Sequence, residues 1–417
     1  MFLLYQLFIS FLIILSPIIF FVRVLKGKED IRRLDEKFFI KKNINLKGNT
    51  IWFHAASIGE FLSIVPLIYE LEKNSKITKI LVTTATLSSS KLFRNYNFKK
   101  THHQFFPIDS FFFSKRFLNY WKPKVAIFVD SEIWPNIFRE LNKKSIPLLL
   151  MNARITRNSF NKWKLFEKFA LKVFGYISKA YPQNMETYNY LRKFKVKNIH
   201  NIGNLKFIKN NKDKNLDLSK SLSKKLKKRI IFVASSTHNT EEKMIGNAHL
   251  FLKKKIGNIL TIIIPRHIQR VNEIIAELKN LNLKICVHDS KNQIIDDTDV
   301  YLVNTYGETK KFLRYANLVF MGGSMINHGG QNPIEPAHYN LKIIHGPNVN
   351  NFKEIYQFFK NEKISYKIIN LEQLNNTANK LLKINNKKIN LDKLGKSILI
   401  KSLTEIKKFL NNEIKKT

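Results

Sequence analysis

The sequence predicts an α/β protein of two doubly wound, Rossmann-like domains, preceded by an apolar helix. Three observations support this prediction. The chain has 417 residues, more than one hydrophobic core usually serves. Short apolar runs alternate with helical segments in both halves, as in parallel sheets joined by crossover helices. Residues 2–22 carry no charge and are about long enough to span the hydrocarbon core of a bilayer.

The composition limits the classes of function. The single cysteine, Cys286, excludes an internal disulfide framework and a multi-cysteine metal site, and it suits a reducing compartment. The net charge of +41 could serve nucleic acid or anionic lipid. Lysines are dispersed along the whole chain, however, without the interleaved aromatic and basic residues of an RNA-binding module. We therefore predict no nucleic-acid partner and favour an anionic membrane surface.

Residues 1–25 are predicted to be a membrane anchor. They show neither a basic start nor a small-residue cleavage site, which argues against a removed signal peptide. By the positive-inside rule, the basic residues that follow keep the folded body in the cytoplasm. The anchor could span the membrane, lie in its interface, or form a buried hydrophobic hairpin. The basic residues are Arg23, Lys26, Lys28, Arg32 and Arg33.

The first domain is predicted to cover residues 36–205. Each of its predicted strands ends in polar or charged residues, so the carboxyl edge of the sheet should be a polar cleft. Glu60 opens the helix after the first strand, where its carboxylate could act in that cleft or simply interact with the helix dipole. The predicted strands are 50–55, 79–84, 124–129 and 147–151.

A phenylalanine-rich helix is predicted at residues 111–121, capped by Ser110. Lys115 and Arg116 lie among its aromatic residues. The helix could pack as an ordinary core element, or it could form a membrane-facing surface that guides a lipid substrate to the cleft.

The composition shifts towards Lys, Asn, Ser and Asp between residues 210 and 229, which predicts a linker at 206–229. A second doubly wound domain should cover residues 230–395. A helical tail, residues 396–417, is then predicted to cross back onto the first domain. The predicted strands of the second domain are 230–234, 260–264, 283–288, 300–303, 316–321 and, as the last, 341–344.

Residues 321–337 carry two glycine pairs between an apolar run and a predicted helix start. Asn332 is the expected cap, Pro333 the first helical residue, and Glu335 the acid of the first turn. Glycines let backbone N–H groups approach a ligand, and a helix N-terminus favours anions. The segment therefore predicts a phosphate-binding loop; the alternative is a glycine-rich turn that only packs.

Two patterns that could indicate a metal site are interpreted otherwise. The Asp-x-Asp spacing of Asp297 and Asp299, in segment 296–299, comes before a strand and not after one, so it predicts a solvated turn. No pair of the scattered histidines has the i, i+4 spacing of a helical metal site, and each is expected to be a hydrogen-bonding or core residue. The histidines in question are His54, His238, His267 and His328.

Seven motifs follow one another along the chain, at residues 54–60, 132–136, 152–154, 203–207, 236–238, 265–267 and 322–337. In that order they resemble the motifs of the 3-deoxy-D-manno-octulosonic acid (Kdo) transferases of lipopolysaccharide synthesis. The resemblance covers nearly the whole chain, including the N-terminal anchor. It implies a GT-B glycosyltransferase with two Rossmann-like domains facing each other across a cleft, without a metal or other cofactor.

The resemblance also implies the reaction. CMP-Kdo would be the donor, a lipid A precursor (lipid IVA) at the cytoplasmic face of the inner membrane the acceptor, and the anomeric carbon would be inverted. One alternative is a GT-B transferase that uses a different nucleotide sugar. Another is a basic membrane or nucleic-acid binder that keeps the fold without catalysis.

Three catalytic positions carry over from the family. Glu60 matches the general base, which removes the proton of an acceptor hydroxyl. Lys206 matches a position that stabilises the transition state through its positive charge. Asp130 matches the other such position, where the family usually has Glu; its side chain is one methylene shorter, so it could instead orient Lys206 or an acceptor group.

The remaining matches concern the nucleotide. The glycine-rich backbone and the helix N-terminus are expected to hold the phosphate, Arg266 to neutralise it, and Glu335 to accept hydrogen bonds from ribose hydroxyls. The CMP-binding residues implied by the resemblance are Pro265, Arg266, Tyr306, Gly307, Glu308, Asn332, Pro333, Ile334 and Glu335.

Overall fold

The computed structural model describes residues 1–39, 48–209, 217–288, 297–384 and 391–414. The chain forms two compact units, Met1–Asn211 with Asp392–Thr417, and Lys212–Leu391. Part of the predicted linker (210–216), Asp296 of the Asp-x-Asp segment and the last residues (415–417) lie outside the described residues. The predicted functional division into anchor, acceptor domain, linker, donor domain and crossing helix stays a prediction.

The N-terminal unit contains a six-stranded, wholly parallel sheet in the order β3-β2-β1-β4-β5-β6. This is the Rossmann order, and it reverses between β1 and β4, where α/β proteins bind ligands beyond the carboxyl ends of the strands. The strands are β1 (Thr50–His54), β2 (Lys79–Thr84), β3 (Thr101–Phe105), β4 (Pro123–Val129), β5 (Leu148–Ala153) and β6 (Lys179–Pro182).

The four strands predicted for this unit are present, but the sequence did not indicate β3 and β6. Both are edge strands. β3 reads Thr-His-His-Gln-Phe, and β6 has four residues, so neither shows the buried apolar run by which strands are recognised.

The described residues before the second unit form eight α-helices. The helix that carries Phe117, for example, packs on the sheet: the Phe117 ring lies 4.8 Å from that of Trp52, which lies 5.0 Å from that of Phe128 on β4. The helices are α1 (Phe2–Leu25), α2 (Ile58–Glu72), α3 (Leu87–Phe93), α4 (Phe111–Trp121), α5 (Pro135–Lys143), α6 (Arg157–Lys164), α7 (Glu167–Phe174) and α8 (Met185–Lys193).

Helix α4 shows features of both interpretations proposed for it, an ordinary core helix and a helix with an exposed aromatic surface. Phe117 and Trp121 are buried in the core, as an ordinary packing helix requires. Phe111 and Phe112 are 39% and 59% exposed. The first turn therefore presents an aromatic surface that the core does not use.

The second unit contains a seven-stranded parallel sheet in the order β13-β12-β11-β7-β8-β10-β9. Its order reverses between β7 and β11. The strands are β7 (Ile230–Thr237), β8 (Ile259–Pro265), β9 (Ile285–Val287), β10 (Val300–Leu302), β11 (Leu318–Met321), β12 (Lys342–His345) and β13 (Ser365–Lys367).

The prediction that the strand at 341–344 is the last was wrong. Strand β13 follows it at the edge of the sheet, and its three residues, Ser365, Tyr366 and Lys367, carry no apolar pattern. The helices of this unit are α9 (Lys220–Lys227), α10 (Glu241–Ile256), α11 (Val271–Lys279), α12 (Thr309–Leu313), α13 (Ile334–His338), α14 (Lys353–Asn361) and α15 (Leu371–Leu382).

The C-terminal helix α16 (Leu391–Ile414) packs within the N-terminal unit. Its Glu405 carboxylate accepts hydrogen bonds from Lys179 (2.5 Å) and from the Tyr181 hydroxyl (2.8 Å), both on β6. Gly395, one turn into the helix, lies so close to the Phe207 carbonyl that a Cβ would approach it to 2.5 Å. Close backbone contact and a partly buried ion pair thus hold the helix.

We expect Glu405→Gln to lower the free energy of unfolding of this unit by about 1–3 kcal/mol at pH 7, because hydrogen bonds to a charged group are lost. Burial would raise the pKa of Glu405, but Lys179, Lys408 and Tyr181 lower it to about 2. A depressed pKa means that the stabilisation is present above the usual value of 4.5 and is lost as the pH falls towards 2. The unfolding temperatures of the wild type and of Glu405→Gln, measured from pH 7 to pH 3, should therefore approach each other as the pH falls.

The control for that experiment is Lys408→Gln. Its ammonium contacts the same carboxylate but is 63% exposed, so its loss should cost at most about 1 kcal/mol. Equal losses from both substitutions would contradict a specific role for the partly buried pair of Lys179 and Glu405.

Candidate active site

Glu60 lies in the first turn of α2, directly beyond the end of β1 and at the reversal point of the sheet. Its backbone N–H donates to the Ser57 hydroxyl (3.4 Å), and its carboxylate accepts from that hydroxyl (2.9 Å) and from the Ala56 N–H (2.7 Å). This resembles a capping box, except that the carboxylate accepts from the N–H of Ala56 and not from that of the N-cap residue, Ser57. The carboxylate thus caps the helix, as the helix-dipole alternative required, and is held in one orientation at the sheet edge.

Glu132 is the residue of this cluster that the sequence-based assignment missed. It follows β4, and its Oε2 contacts His54 Nε2 (3.0 Å) and accepts from the Trp134 indole N–H (2.8 Å). Burial would raise its pKa, but the hydrogen bonds and charge of His54, with the bond from Trp134, lower it overall. Its place in the motif at 132–136, two residues after Asp130, was the available signal.

Burial and two neighbouring acids raise the pKa of the Glu60 carboxyl group. Burial raises the pKa of Glu60, and the negative charges of Glu132 and Asp130 raise it further, against the hydrogen bonds from Ser57 and Ala56. A carboxylate with a raised pKa is a better proton acceptor than an exposed glutamate. The cluster therefore has the electrostatics of a general-base site.

Asp130 and Lys206 form an ion pair in the same unit, with 3.5 Å between Lys206 Nζ and Asp130 Oδ2. Asp130 adopts a left-handed backbone conformation (φ 62°) at the end of β4, a conformation that Asp tolerates better than most residues. Asp130 was expected to stabilise the transition state, to orient Lys206 or to orient an acceptor group. The observed contact with Lys206 supports the second of these roles.

The motifs at residues 152–154 and 203–207 contact each other next to Lys206. The Asn152 side-chain oxygen accepts from the Leu205 N–H (2.9 Å), and the Asn204 oxygen accepts from the Lys206 N–H (2.9 Å). Lys206 therefore sits on a tight turn, Leu205–Phe207, that is tied to the end of β5. Motifs far apart in sequence thus place the ammonium group next to Asp130.

In the second unit, the first glycine pair of the predicted phosphate loop holds an internal carboxylate. The N–H groups of Gly323, Ser324 and Met325 donate to Glu241 at 2.8, 3.1 and 3.0 Å. The His238 N–H donates to the same carboxylate at 2.9 Å. Glu241 is 1% exposed. These amides are therefore not available to a phosphate in this conformation, and part of the loop is structural.

The helix that ends the loop also corrects the prediction. α13 begins at Ile334, one residue later than predicted, although the Asn332 side chain still accepts from the Ile334 N–H (3.1 Å). The helix has five residues. Because the dipole of so short a helix is small, it adds little to anion binding.

The three predicted nucleotide-binding segments are neighbours in the second unit. Gln269, just beyond Pro265 and Arg266, contacts the Tyr306 hydroxyl at 3.4 Å. Lys310, just beyond Glu308, pairs with Glu335 at 3.6 Å. The last residue of β8 is Pro265, while the side chains of Arg266, Tyr306 and Asn332 are exposed.

Three histidines also gather at this end of the sheet. The rings of His238 and His328 lie 4.3 Å apart, and those of His238 and His267 lie 5.6 Å apart. Burial, then the neighbouring histidines and arginines, lowers the pKa of His238 to about 4, so its ring is uncharged at neutral pH. Among the described residues, no group of three or more His, Cys, Asp or Glu is arranged to hold a metal ion.

Comparison with known proteins decides the family. A family model described as 3-deoxy-D-manno-octulosonic-acid transferase (kdotransferase) matches residues 32–209. The 3-deoxy-D-manno-octulosonic acid transferase of Rickettsia bellii is 34% identical over 380 residues, which cover 91% of this chain and 90% of that protein. This chain belongs to the Kdo transferase family.

The relationship extends beyond one genus. The Kdo transferase of Haemophilus influenzae is 30% identical over 355 residues, covering 84% of this chain and 83% of that protein. The resemblance stated from the seven motifs is therefore confirmed, and the chain is a glycosyltransferase.

Solved structures support the fold of this transferase. A putative UDP-N-acetylglucosamine 2-epimerase from Listeria monocytogenes has a TM-score of 0.58 at 12% identity, covering 88% of this chain and 97% of that one. The UDP-GlcNAc 2-epimerase of Neisseria meningitidis has a TM-score of 0.54 at 14% identity, covering 84% and 100%. At such identities only the fold is shared. The predicted GT-B class, with two Rossmann-like domains and an N-terminal apolar helix, is confirmed.

Proposed function

We propose that this transferase moves Kdo from CMP-Kdo to the lipid A precursor lipid IVA, at the cytoplasmic face of the inner membrane. The reaction inverts the anomeric carbon and needs no metal. The observation that carries the proposal is Glu60, fixed at the reversal point of the first sheet with a raised pKa, in the unit that also holds the Asp130–Lys206 pair. The relatives are named as Kdo transferases, which supports Kdo as the sugar that is transferred.

The proposed chemistry begins at an acceptor sugar hydroxyl. Glu60 takes its proton as the oxygen attacks the anomeric carbon of Kdo from the face opposite the phosphate. The bond from that carbon to the CMP phosphate breaks, and CMP leaves with the electron pair. Lys206, oriented by Asp130, offsets negative charge on the departing phosphate or on the donor carboxylate.

On the donor side, we propose that CMP binds at the three neighbouring segments of the second unit. Because Glu241 occupies the amides of residues 323–325, phosphate neutralisation falls mainly to the exposed guanidinium of Arg266. Glu335 is proposed to accept hydrogen bonds from the ribose hydroxyls in exchange for its contact with Lys310. The proposed contacts are Pro265, Arg266, Tyr306, Gly307, Glu308, Asn332, Pro333, Ile334 and Glu335.

The test is mass spectrometry of the lipid product after incubation of purified enzyme with CMP-Kdo and tetra-acylated lipid IVA, in the presence of EDTA. The expected product gains the mass of one or more Kdo residues and CMP is released. No transfer from CMP-Kdo, but transfer from another nucleotide sugar, would favour the alternative donor. Loss of activity in EDTA, restored by a divalent metal, would overturn metal independence.

The proposal makes a prediction about pH. A general base must be deprotonated, so kcat/KM should rise with pH through the raised pKa of Glu60. Glu132→Gln removes a negative neighbour that raises this pKa. We therefore expect the acid limb of the pH profile to move to lower pH in the variant, measured with saturating CMP-Kdo.

The matched control is Glu70→Gln. Glu70 lies on the same helix α2 but is exposed and pairs with Lys73, so the acid limb should stay where it is. A shift to higher pH in Glu132→Gln would contradict the proposed role of Glu132.

Attachment to the membrane is proposed through α1. Its 24 residues have a mean hydropathy of 2.5 in their most apolar part, enough by length and composition to cross a membrane. Signal sequences and core helices can meet the same criterion. Only 11% of that apolar part is buried, however, which supports a membrane anchor over the buried-hairpin alternative.

A further inference from the structure

Helix α1 is docked along its whole length on the N-terminal unit. Half-buried or buried positions recur every three or four residues, so they form one continuous seam on one face of the helix. The seam consists of Phe2, Tyr5, Ile9, Leu12, Ser16, Phe20 and Arg23.

The first turns of α1 contact charged and polar groups of that unit. The Tyr5 hydroxyl donates to the buried Asp109 carboxylate at 2.8 Å. The Phe2 ring lies 4.9 Å from the Phe169 ring. Arg139 and Lys172 lie 5.3 and 5.6 Å from the centre of the Phe2 ring.

The last turns of α1 contact the same unit. The Phe20 ring lies 5.6 Å from that of Phe38, which in turn lies 5.8 Å from Phe113 of α4. Arg23 binds the buried Glu29 carboxylate at 2.7 Å. Both ends of the helix are therefore held by one folded body.

These contacts are incompatible with a helix that crosses the membrane. At about 1.5 Å per residue, Phe2 and Phe20 are separated by roughly 27 Å along the axis, nearly the ~30 Å thickness of the hydrocarbon core. If α1 spanned the bilayer while docked, Asp109, Arg139 and Lys172 would enter the hydrocarbon with it. A charge at the centre of the hydrocarbon costs about 2.5–3.5 kcal/mol or more.

The opposite face of α1 is an unbroken apolar stripe. Its side chains are between 57% and 74% exposed, which is far more than a soluble surface normally shows on one helix. The stripe consists of Leu3, Leu4, Leu7, Phe8, Phe11, Ile14, Ile18, Phe21 and Leu25.

Exposed apolar residues continue the stripe beyond both ends of α1. Leu165 and Phe166, 78% and 54% exposed, precede α7, whose Phe169 packs on Phe2. At the C-terminal end of α1, Phe111 and Phe112 are exposed on α4, next to Phe113, which contacts the Phe38 ring that packs on Phe20.

Basic side chains accompany these residues and suit anionic headgroups. Lys115 lies 5.9 Å from the Phe111 ring, and Arg116 lies 5.4 Å from that of Phe112. Lys164 directly precedes Leu165 in the chain, and Lys162 lies two residues earlier.

We infer that α1 does not span the membrane but lies in the plane of one anionic leaflet, docked by its seam and facing the acyl chains with its stripe. This inference rests on the proposed membrane attachment and is independent of the transfer chemistry. It also brings the start of α5, where the Asn136 N–H donates at 3.0 Å to the carboxylate that binds Tyr5, close to the leaflet from which a lipid acceptor must come.

The experiment measures depth along the stripe. In a Cys286→Ser background, a single cysteine at position 4, 11, 18 or 25 carries a fluorophore. The full-length protein is reconstituted in vesicles of phosphatidylethanolamine and phosphatidylglycerol, with lipids that carry a quencher at different depths. An in-plane helix gives the same depth at all four positions, about 5–10 Å below the headgroups. A peptide tag on the N-terminus should be cleaved by protease only in inverted inner-membrane vesicles.

A depth that reaches the bilayer centre at positions 11 and 18, or a tag cleaved only from the periplasmic side, would overturn the inference. Quenching at none of the positions would also overturn it, since the stripe would then not face lipid. Kdo transfer is assayed in detergent on the same labelled proteins, so a failure of the anchor geometry is distinguishable from a failure of the proposed reaction. The docked face is checked with Tyr5→Phe, which should increase the variation in depth without inactivating the enzyme.

Discussion

Replacing Glu60 with Gln should reduce the rate of transfer by about 10²–10⁴-fold, the usual contribution of a positioned general base. Gln is nearly isosteric, and its oxygen can still accept from the Ala56 N–H or the Ser57 hydroxyl, so the start of α2 should stay intact. The loss should appear in kcat. Single-turnover kinetics with saturating donor and lipid, together with calorimetric binding of CMP-Kdo, would measure it.

Because Glu60 both caps α2 and is the proposed base, a second variant must separate these roles. Ser57→Ala removes the cap while leaving the carboxylate, at a stability cost of about 1 kcal/mol. It should reduce kcat far less than Glu60→Gln does. If the two variants lost activity equally, or if Glu60→Gln kept the wild-type rate, the assignment of Glu60 as base would be untenable.

The apolar strands of both sheets could be predicted because each buries its side chains on both faces. Strands such as β4 and β8 are therefore short, nearly continuous apolar runs between polar segments. The missed strands β3 and β13 lie at sheet edges, where one side is exposed and polar residues are tolerated. Their pairing depends on the neighbouring strand, which a local pattern does not contain.

The candidate site was predictable only where the chain order itself places residues at strand ends. Glu60 and Asp130 follow β1 and β4, the two strands that flank the reversal point, so their proximity follows from the strand order. The contribution of Glu132 depends on His54 and Trp134, which meet only in the folded unit. Likewise, the glycines near residue 322 predicted a bound anion. Whether that anion is a ligand or a side chain such as Glu241 depends on the tertiary structure, which the local sequence does not contain.

Replacing Glu241 with Ala should lower the free energy of unfolding of the second unit by several kcal/mol. Four backbone N–H groups donate to this buried carboxylate, and each one left without an acceptor costs about 1–3 kcal/mol. The loop that starts at Gly322 should then loosen, which raises KM for CMP-Kdo more than it lowers kcat. Chemical denaturation and steady-state kinetics with varied donor would measure both effects.

The matched control is Glu273→Ala. Glu273 also lies on a helix of this unit, but it is 49% exposed and pairs with Arg270, so its loss should cost at most about 1 kcal/mol. Comparable destabilisation by both substitutions would mean that Glu241 contributes only as an ordinary charge.

A small anion should partly rescue Glu241→Ala, because the substitution empties a pocket that four N–H groups line. Formate or acetate should raise the unfolding temperature of the variant more than that of the wild type, and Glu241→Gln, whose amide presents a donor to those N–H groups, should be rescued less. A rescue would establish that the first glycine pair binds a carboxylate as part of the fold. If Glu241→Ala were fully stable and bound CMP-Kdo normally, the amides of residues 323–325 would not depend on Glu241, and they would again be candidates for the donor phosphate.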